Sequence, residues 1–250
     1  MKYLIDTRSV QAAIHYGVYG ESTAAAVREN YNKSSGLRLS RFLKHIEAVS
    51  GELPEPSHGR ENELQLAYLN QYDGLVLTTR MYHFSQVELE HIRQFVEGGA
   101  SLLVMSNHPP FDQRDDKLAR LFGFSFKAPM YPWHGGHYGV TTIHEGDLGD
   151  HPITQTLANR VIFNNSCRIV INDAANAIVL AKLPEESPPE NVFALAIDRP
   201  LGSKSGRVVA IADSGFIGGM DTTIPGPGQF EKGDNQAFMC NVISWLCHKL

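Results

Sequence analysis

Apolar residues fall along this chain in two rhythms, and their alternation predicts a fold. Four short, nearly continuous apolar runs read as strands buried on both faces: Tyr3 to Ile5, Leu75 to Thr79, Ser101 to Met105 and Arg207 to Ala212. Helical spacing occupies the stretches between. Leu39, Phe42, Leu43, Ile46 and Val49 recur on one face before Gly51, which predicts an amphipathic helix over Leu37 to Ser50 with a glycine stop. Leu53 to Gly59, with Pro54 and Pro56, reads as a loop, and Glu61 to Tyr72 as a helix. Ser85 and Glu88 have the spacing of a capping box and open a helix through Leu89, Ile92, Phe95 and Val96 that ends at Gly98-Gly99. A strand, a helix and a strand with tight links form a right-handed crossover, so the four runs are expected as neighbours in a parallel sheet.

Beyond Met105 a helix is expected around Asp115 to Phe122, stopped by Gly123. Phe124 to Arg160 then breaks into Gly, Pro, His and aromatic residues and reads as a long excursion with short strands. Arg168 to Ile171, Ala177 to Leu183 and Val192 to Ile197 are compact strands. The turn-rich Pro184 to Glu190 joins the last two, so these three are expected as an antiparallel extension. Gly215 to Gly233 is rich in glycine and proline, and a final helix from Asn235 is expected to bury Phe238, Val242, Trp245 and Leu246. No repeat or linker divides the pattern. The expectation is one α/β domain over 1–250, a three-layer α/β/α sandwich whose mostly parallel, flavodoxin-like sheet carries an antiparallel extension.

Composition narrows the function classes. Among 250 residues, 42% are hydrophobic and 20% charged, which excludes a disordered chain. A formal net charge of −5 without a run of lysines or arginines argues against a nucleic-acid partner. No apolar run reaches the ~20 residues of a membrane helix, and Met1 to Thr7 lacks a signal-peptide stretch, so a cytoplasmic protein without a membrane partner is expected. Cys167, Cys240 and Cys247 form no C-x-x-C pair, and Cys240 and Cys247 sit roughly 10 Å apart along one helix. All three read as core thiols.

In open parallel sheets, ligands sit beyond the carboxyl ends of the strands. Four runs here end in polar residues: Asp6-Thr7-Arg8, Thr78-Thr79-Arg80, Ser106-Asn107-His108 and Asp213-Ser214. Asp6, Arg80, Ser106, Asn107, Asp213 and Ser214 are therefore candidate ligand-binding residues. Polar residues also mark any strand end that meets water. His108 is the catalytic candidate, since an imidazole at a strand end with Asp112 close behind suits a general base or a ligand. Pro109-Pro110 stiffens the same turn, and a histidine there also serves by bonding to backbone.

Other motifs are weaker. Trp133-His-Gly-Gly-His-Tyr-Gly139 places His134 and His137 three apart, with His144 and His151 downstream, but no further ligand stands at a diagnostic spacing. A glycine-aromatic lid is the alternative, and no metal is assigned. Gly226-Pro-Gly228 through Asn235 precedes a helix without either phosphate-binding glycine motif, so Asp234 or Asn235 is expected to cap that helix. No G-x-S-x-G elbow occurs, and Cys167 follows Asn164-Asn-Ser166 ahead of a strand.

Several of these segments resemble a known family. Ser85-x-x-Glu88, then Phe95-Val-Glu-Gly-Gly-Ala-Ser-Leu-Leu-Val-Met-Ser-Asn-His-Pro-Pro-Phe111 and Leu118-Ala-x-x-Phe-Gly-Phe124, are similar to uncharacterised bacterial domains of the class I glutamine amidotransferase-like superfamily. Asp150-His-Pro-Ile-Thr154 looks like their recurring turn. Gly206-Arg-Val-Val-Ala-Ile-Ala-Asp-Ser214 and Asp234-Asn-Gln-x-Phe-x-x-Asn-Val-Ile-x-Trp-Leu246 look like their last strand and helix. True amidotransferases of the superfamily carry an elbow cysteine after the strand matching Ser101 to Met105. Here that position reads Ser106-Asn107-His108, and Asn107 stands where relatives commonly have an aspartate, so the resemblance implies no glutaminase activity. Related trehalose-utilisation-type and intraflagellar-transport-type domains imply that the fold also serves as a binding module.

Two functions follow as expectations. One is a module binding a small polar molecule or a protein partner; the other is a hydrolase or lyase using His108 with Asp6 or Asp213, with or without a cation. The pattern specifies no cofactor, and it leaves homo-oligomerisation open.

Overall fold

A computed structural model describes residues 1–6, 40–57, 64–78, 83–109, 112–131, 140–158, 160–164, 166–174, 176–184, 191–217 and 230–250. Its elements begin with β1 (Tyr3–Ile5), α1 (Ser40–Ser50), β2 (Glu55–Pro56), α2 (Leu66–Leu69), β3 (Gly74–Leu77), α3 (Gln86–Glu97) and β4 (Ser101–Met105). There follow α4 (Asp112–Arg120), β5 (Phe124–Tyr131), β6 (Val140–His144), β7 (Arg160–Asn164), β8 (Ser166–Ile171), β9 (Ala177–Lys182), β10 (Val192–Asp198), β11 (Arg207–Ile211) and α5 (Asn235–Leu246).

The main sheet is mixed, in the order β2-β1-β3-β4-β11-β10-β8-β5, with β9 paired to β10. Its first five strands are parallel, and every residue of β1, β3 and β4 is buried, as strands covered on both faces require. The four apolar runs are the neighbours expected. The antiparallel extension also forms, β10 pairing with β11, β9 and β8. Registers Ile5↔Val76, Leu77↔Val104 and Met105↔Ile211 bring the carboxyl ends of β1, β3, β4 and β11 to one side of the sheet.

Close packing explains one residue choice in this sheet. A Cβ on Gly74 would fall 2.3 Å from Cε1 of Tyr3, its partner on β1, so the buried Tyr3 ring occupies the space that a side chain would need. The α3 capping box closes in both directions, Glu88 N donating to Ser85 Oγ at 3.1 Å and Ser85 N to Glu88 Oε2 at 3.0 Å. The helix then buries Leu89, Ile92, Phe95 and Val96.

Five expectations need correction or refinement. Glu55–Pro56, read as loop, pairs with Leu4 and Ile5 as an edge strand, where a proline's missing N–H can face outward. The helix read over Glu61 to Tyr72 is described only as Leu66–Leu69, and the one read from Asp115 starts at Asp112 and ends at Arg120. Phe124–Tyr131 is a main-sheet strand: Phe124 and Phe126 are buried opposite Ile171 and Ile169, and a register shift after Lys127 hides the alternation. Lastly, Asp234 is the N-cap residue of α5, one of the two alternatives expected, and its carbonyl accepts from Phe238 N at 2.8 Å, but its side chain makes no capping hydrogen bond. Asn235 instead accepts from Ile162 N at 2.8 Å and donates to Ile162 O at 2.6 Å, acting as a partner for β7, while Asp234 accepts from Arg160 N.

Candidate functional site

Each parallel strand hands its polar successor to a particular neighbour. Asp6, fully buried beyond β1, donates its N–H to Val76 O at 3.0 Å, and its Oδ1 accepts from Ser57 Oγ at 3.1 Å. Beyond β4, Ser106 N donates to Ile211 O at 3.0 Å and Ser106 O accepts from Ser214 N at 2.6 Å, so the strand pairing with β11 continues into the loop. The side chains extend this stitching. Ser106 Oγ donates to Asp115 Oδ2 at 2.9 Å, and Asn107 Nδ2 donates to Ser214 Oγ at 3.1 Å. Asp213 Oδ1 accepts from Gly215 N at 2.7 Å.

His108 is half-buried. Its N–H donates to Asn107 Oδ1, and its Nδ1 lies 2.8 Å from Pro109 O. A carbonyl only accepts, so Nδ1 carries the proton and Nε2 is the basic nitrogen of the neutral ring. Of the candidate residues, Ser106, Asn107, His108, Asp213 and Ser214 therefore come together at the ends of β4 and β11. Asp6 stands apart at the end of β1: β3 lies between β1 and β4, a separation of roughly 10 Å. Arg80, Thr79, Thr7 and Arg8 lie outside the described residues, as do His134, His137 and the Gly226 to Gly228 stretch.

Beneath this end of the sheet lie groups the pattern did not assign to it. Cys167, expected among core thiols away from the strand ends, is indeed fully buried, but its N and Sγ both reach Ala212 O, at 3.1 and 3.2 Å. Burial pushes its thiol well above the usual range, and the charges of Asp112, Asp115 and Asp213 push further, while the neighbouring Ser106 side chain acts in the other direction. The sulfur is thus a protonated thiol among carboxylates, a poor nucleophile. Asp112, expected to support His108, is held by backbone hydrogen bonds from Gln113 and Ala128. Burial raises its carboxyl, and its Oδ1, like the buried Thr78 Oγ1, has no hydrogen-bond partner among the described residues. Asp112 and Asp115 were detectable as an acidic first turn of α4. The approach of Cys167 to Ala212 was not, because it depends on a contact across 45 residues.

Among the described residues, two cavities open elsewhere. One of about 220 Å³ lies among Arg120, Gly123, Asp173, Asn176 and Pro200. A wider one of about 660 Å³ is bordered by His144, Glu145, Arg160 and Gly233. Neither is lined by the strand-end residues.

No protein-family model matches the chain, and no curated protein matches it. Solved structures do. The mmIFT52 N-terminal domain superposes with a TM-score of 0.67 at 11% identity, covering 98% of this chain and 96% of that one. A protein described as ThuA-like from Bacteroides uniformis gives 0.50 at 14% identity over 98% and 91% of the two chains. A cytoplasmic protein from Salmonella typhimurium LT2 gives 0.53 at 13% identity over 98% and 99%. At such identities the likeness is one of fold, and it extends over nearly the whole chain.

Proposed function

We propose that this chain is a ligand- or partner-binding module of the glutamine amidotransferase-like fold, a three-layer α/β/α sandwich with a flavodoxin-like parallel core and no glutaminase activity. The observation that carries this reading is the hydrogen bond from Ser106 Oγ to Asp115. The residue directly after β4 is spent on structure, Asn107 is spent on Ser214, and Cys167 beneath them is a buried, protonated thiol. What remains accessible at the strand ends is half-buried His108 and Asn107, above the buried Ser214, a polar rim suited to holding a small polar molecule or a polar face of a partner. Asp213 belongs to the proposed site, whereas Asp6 stands one strand away from it and Arg80 lies outside the described residues. The resemblance to ThuA-like and mmIFT52 structures supports the fold reading, and the cytoplasmic Salmonella protein supports a cytoplasmic location. Neither a nucleic acid nor a membrane is proposed as a partner.

One observation favours a second reading, a hydrolase or lyase with His108 as general base. The Pro109 carbonyl fixes the tautomer that leaves Nε2 basic, as such a base requires. Three measurements separate these readings. Ammonia release from glutamine should be absent; release that disappears on Cys167→Ala would overturn the first reading. Thermal shifts with a panel of sugars, amino acids and nucleotides should show a binder whose effect is lost on His108→Ala, with the melting temperature itself changed by no more than a few degrees. Turnover of short polar esters that vanishes with the same substitution would establish the enzyme instead.

A further inference from the structure

Where α1 packs against α5, a thiol, an imidazole and a carboxamide line up. His45 Nδ1 lies 3.0 Å from Cys240 Sγ, and His45 Nε2 lies 2.8 Å from Gln236 Nε2. Phe230 holds the imidazole from one side, with ring centroids 5.4 Å apart. Cys240 is half-buried, whereas Cys167 and Cys247 are buried. A nucleophile within hydrogen-bond reach of a base, itself oriented by a third group, is the arrangement that activates a thiol.

We propose that Cys240, His45 and Gln236 form a second reactive site, separate from the strand ends, at which Cys240 undergoes thiol-disulfide exchange with small disulfides. The Cys240 sulfur attacks one sulfur of the disulfide as its proton passes to His45 Nδ1. A mixed disulfide forms on Cys240, the original S–S bond breaks, and the departing thiolate takes up the proton. No net oxidant is needed beyond the disulfide itself. Transfer to Nδ1 requires the proton of the resting imidazole on Nε2. A carboxamide presents oxygen or nitrogen at one place by a half-turn, so Gln236 can accept that Nε2–H.

Disulfide exchange fits this site better than acyl transfer. Cys240 lies mid-helix in α5, where neighbouring N–H groups are consumed by the helix and offer nothing to an oxyanion. Exchange at sulfur needs no such donors. Burial raises the thiol and lowers the imidazole, so the pair rests as neutral S–H and neutral ring, and the imidazole is available as a base. Lys44 and Glu47 flank His45 on α1 and Asp234 precedes Gln236, while Arg41, one turn before His45, pairs with Glu231, beside Phe230, at 3.0 Å.

The test is the reaction of the folded protein with the aromatic disulfide 5,5′-dithiobis(2-nitrobenzoic acid). One equivalent of aryl thiolate should be released quickly, two more should follow on unfolding, and Cys240→Ser should release none in the fast phase. His45→Gln should slow that phase at least ~10-fold and return its pH profile to that of a simple thiol. At the exposed position 236, Gln236→Glu should accelerate it by stabilising the imidazolium, and Gln236→Met should slow it. Because the other two thiols are buried, the equivalents released also report whether each variant is folded. Oxidised glutathione should add one glutathione, located by mass spectrometry on the Cys240 peptide. A fast phase arising from Cys167 or Cys247, or one whose rate and pH profile ignore both His45→Gln and the Gln236 variants, overturns the proposal.

Discussion

Asn107 Nδ2 donates to Ser214 Oγ at 3.1 Å, so the loops leaving β4 and β11 are joined by side chains as well as by the Ser214 N to Ser106 O bond beneath them. A half-buried neutral hydrogen bond of this kind contributes about 1 kcal/mol. In a double-mutant cycle, Asn107→Ala and Ser214→Ala should therefore show a coupling of about 1 kcal/mol by urea unfolding, each alone costing more than its share of the pair. Zero coupling would mean that the two loops are held by backbone alone.

Gly74→Ala should be among the most damaging single-atom changes in the sheet. The added methyl meets Cε1, Cδ1 and Cζ of a wholly buried Tyr3 at 2.3 to 2.8 Å, and the ring is confined by Cys247, whose Sγ lies 3.6 Å from the Tyr3 hydroxyl. Overpacking of this sort costs about 1–3 kcal/mol. Tyr3→Leu in the Gly74→Ala background should recover part of the loss, read as the shift in urea midpoint. A double variant no better than Gly74→Ala alone would place the cost in the backbone instead.

Much of the sheet could be read from the chain because its central strands are apolar throughout. Leu102 to Met105 must be covered on both faces, and the helices between such runs force parallel neighbours. β5 was obscured for a local reason, its alternation broken by the register shift that follows Lys127. β2 was obscured because Pro56 signals a loop wherever the edge position of its strand is unknown. At the candidate site, Asp213, Ser214 and Ser106 to His108 were legible as polar endings of apolar runs. The placement of Cys167 under them was not, since β8 reaches Ala212 only through the antiparallel extension, and no periodicity encodes which strand ends meet. The pairing of Cys240 with His45 likewise depends on how α1 meets α5, 195 residues apart in the chain.

Asp112→Asn should stabilise the protein near neutral pH. Burial, followed by repulsion from Asp116 and against backbone hydrogen bonds, raises the Asp112 carboxyl, and its Oδ1 is unpartnered among the described residues. A raised carboxyl contributes its stability below the unfolded value of about 3.9 and loses it as pH rises through the folded value, so at pH 7 the carboxylate is a liability. An amide keeps one accepting oxygen for the backbone of Gln113 and Ala128 and is cheaper to bury than a charge. The urea midpoint should rise at pH 7, and the difference from wild type should disappear near pH 4. Destabilisation at pH 7 would show that the charge itself is needed at the start of α4.

His151 sets an opposite pH dependence. Its ring is buried, accepts from Ile153 N at Nδ1 and meets Trp245 edge-on with centroids 5.2 Å apart. Burial lowers its pKa first and Arg207 lowers it further, against the weaker pull of Asp150. Arg207 is fixed over the Trp245 ring at 4.5 Å and so stays close to any charge on the imidazole. A group whose folded value lies below its unfolded 6.5 contributes stability above that pH and loses it as pH falls toward the folded value, because the unfolded chain binds the proton more readily. His248 is lowered by the same two causes but is exposed, so its share is smaller. Unfolding free energy should accordingly fall between pH 7 and pH 5, by up to about 1.4 kcal/mol per pH unit for one group. His151→Asn keeps an acceptor for Ile153 and removes the titration. It should lower stability at pH 7 through lost packing on Trp245, yet flatten the slope below it. A slope as steep in His151→Asn as in wild type would assign the acid sensitivity to another group.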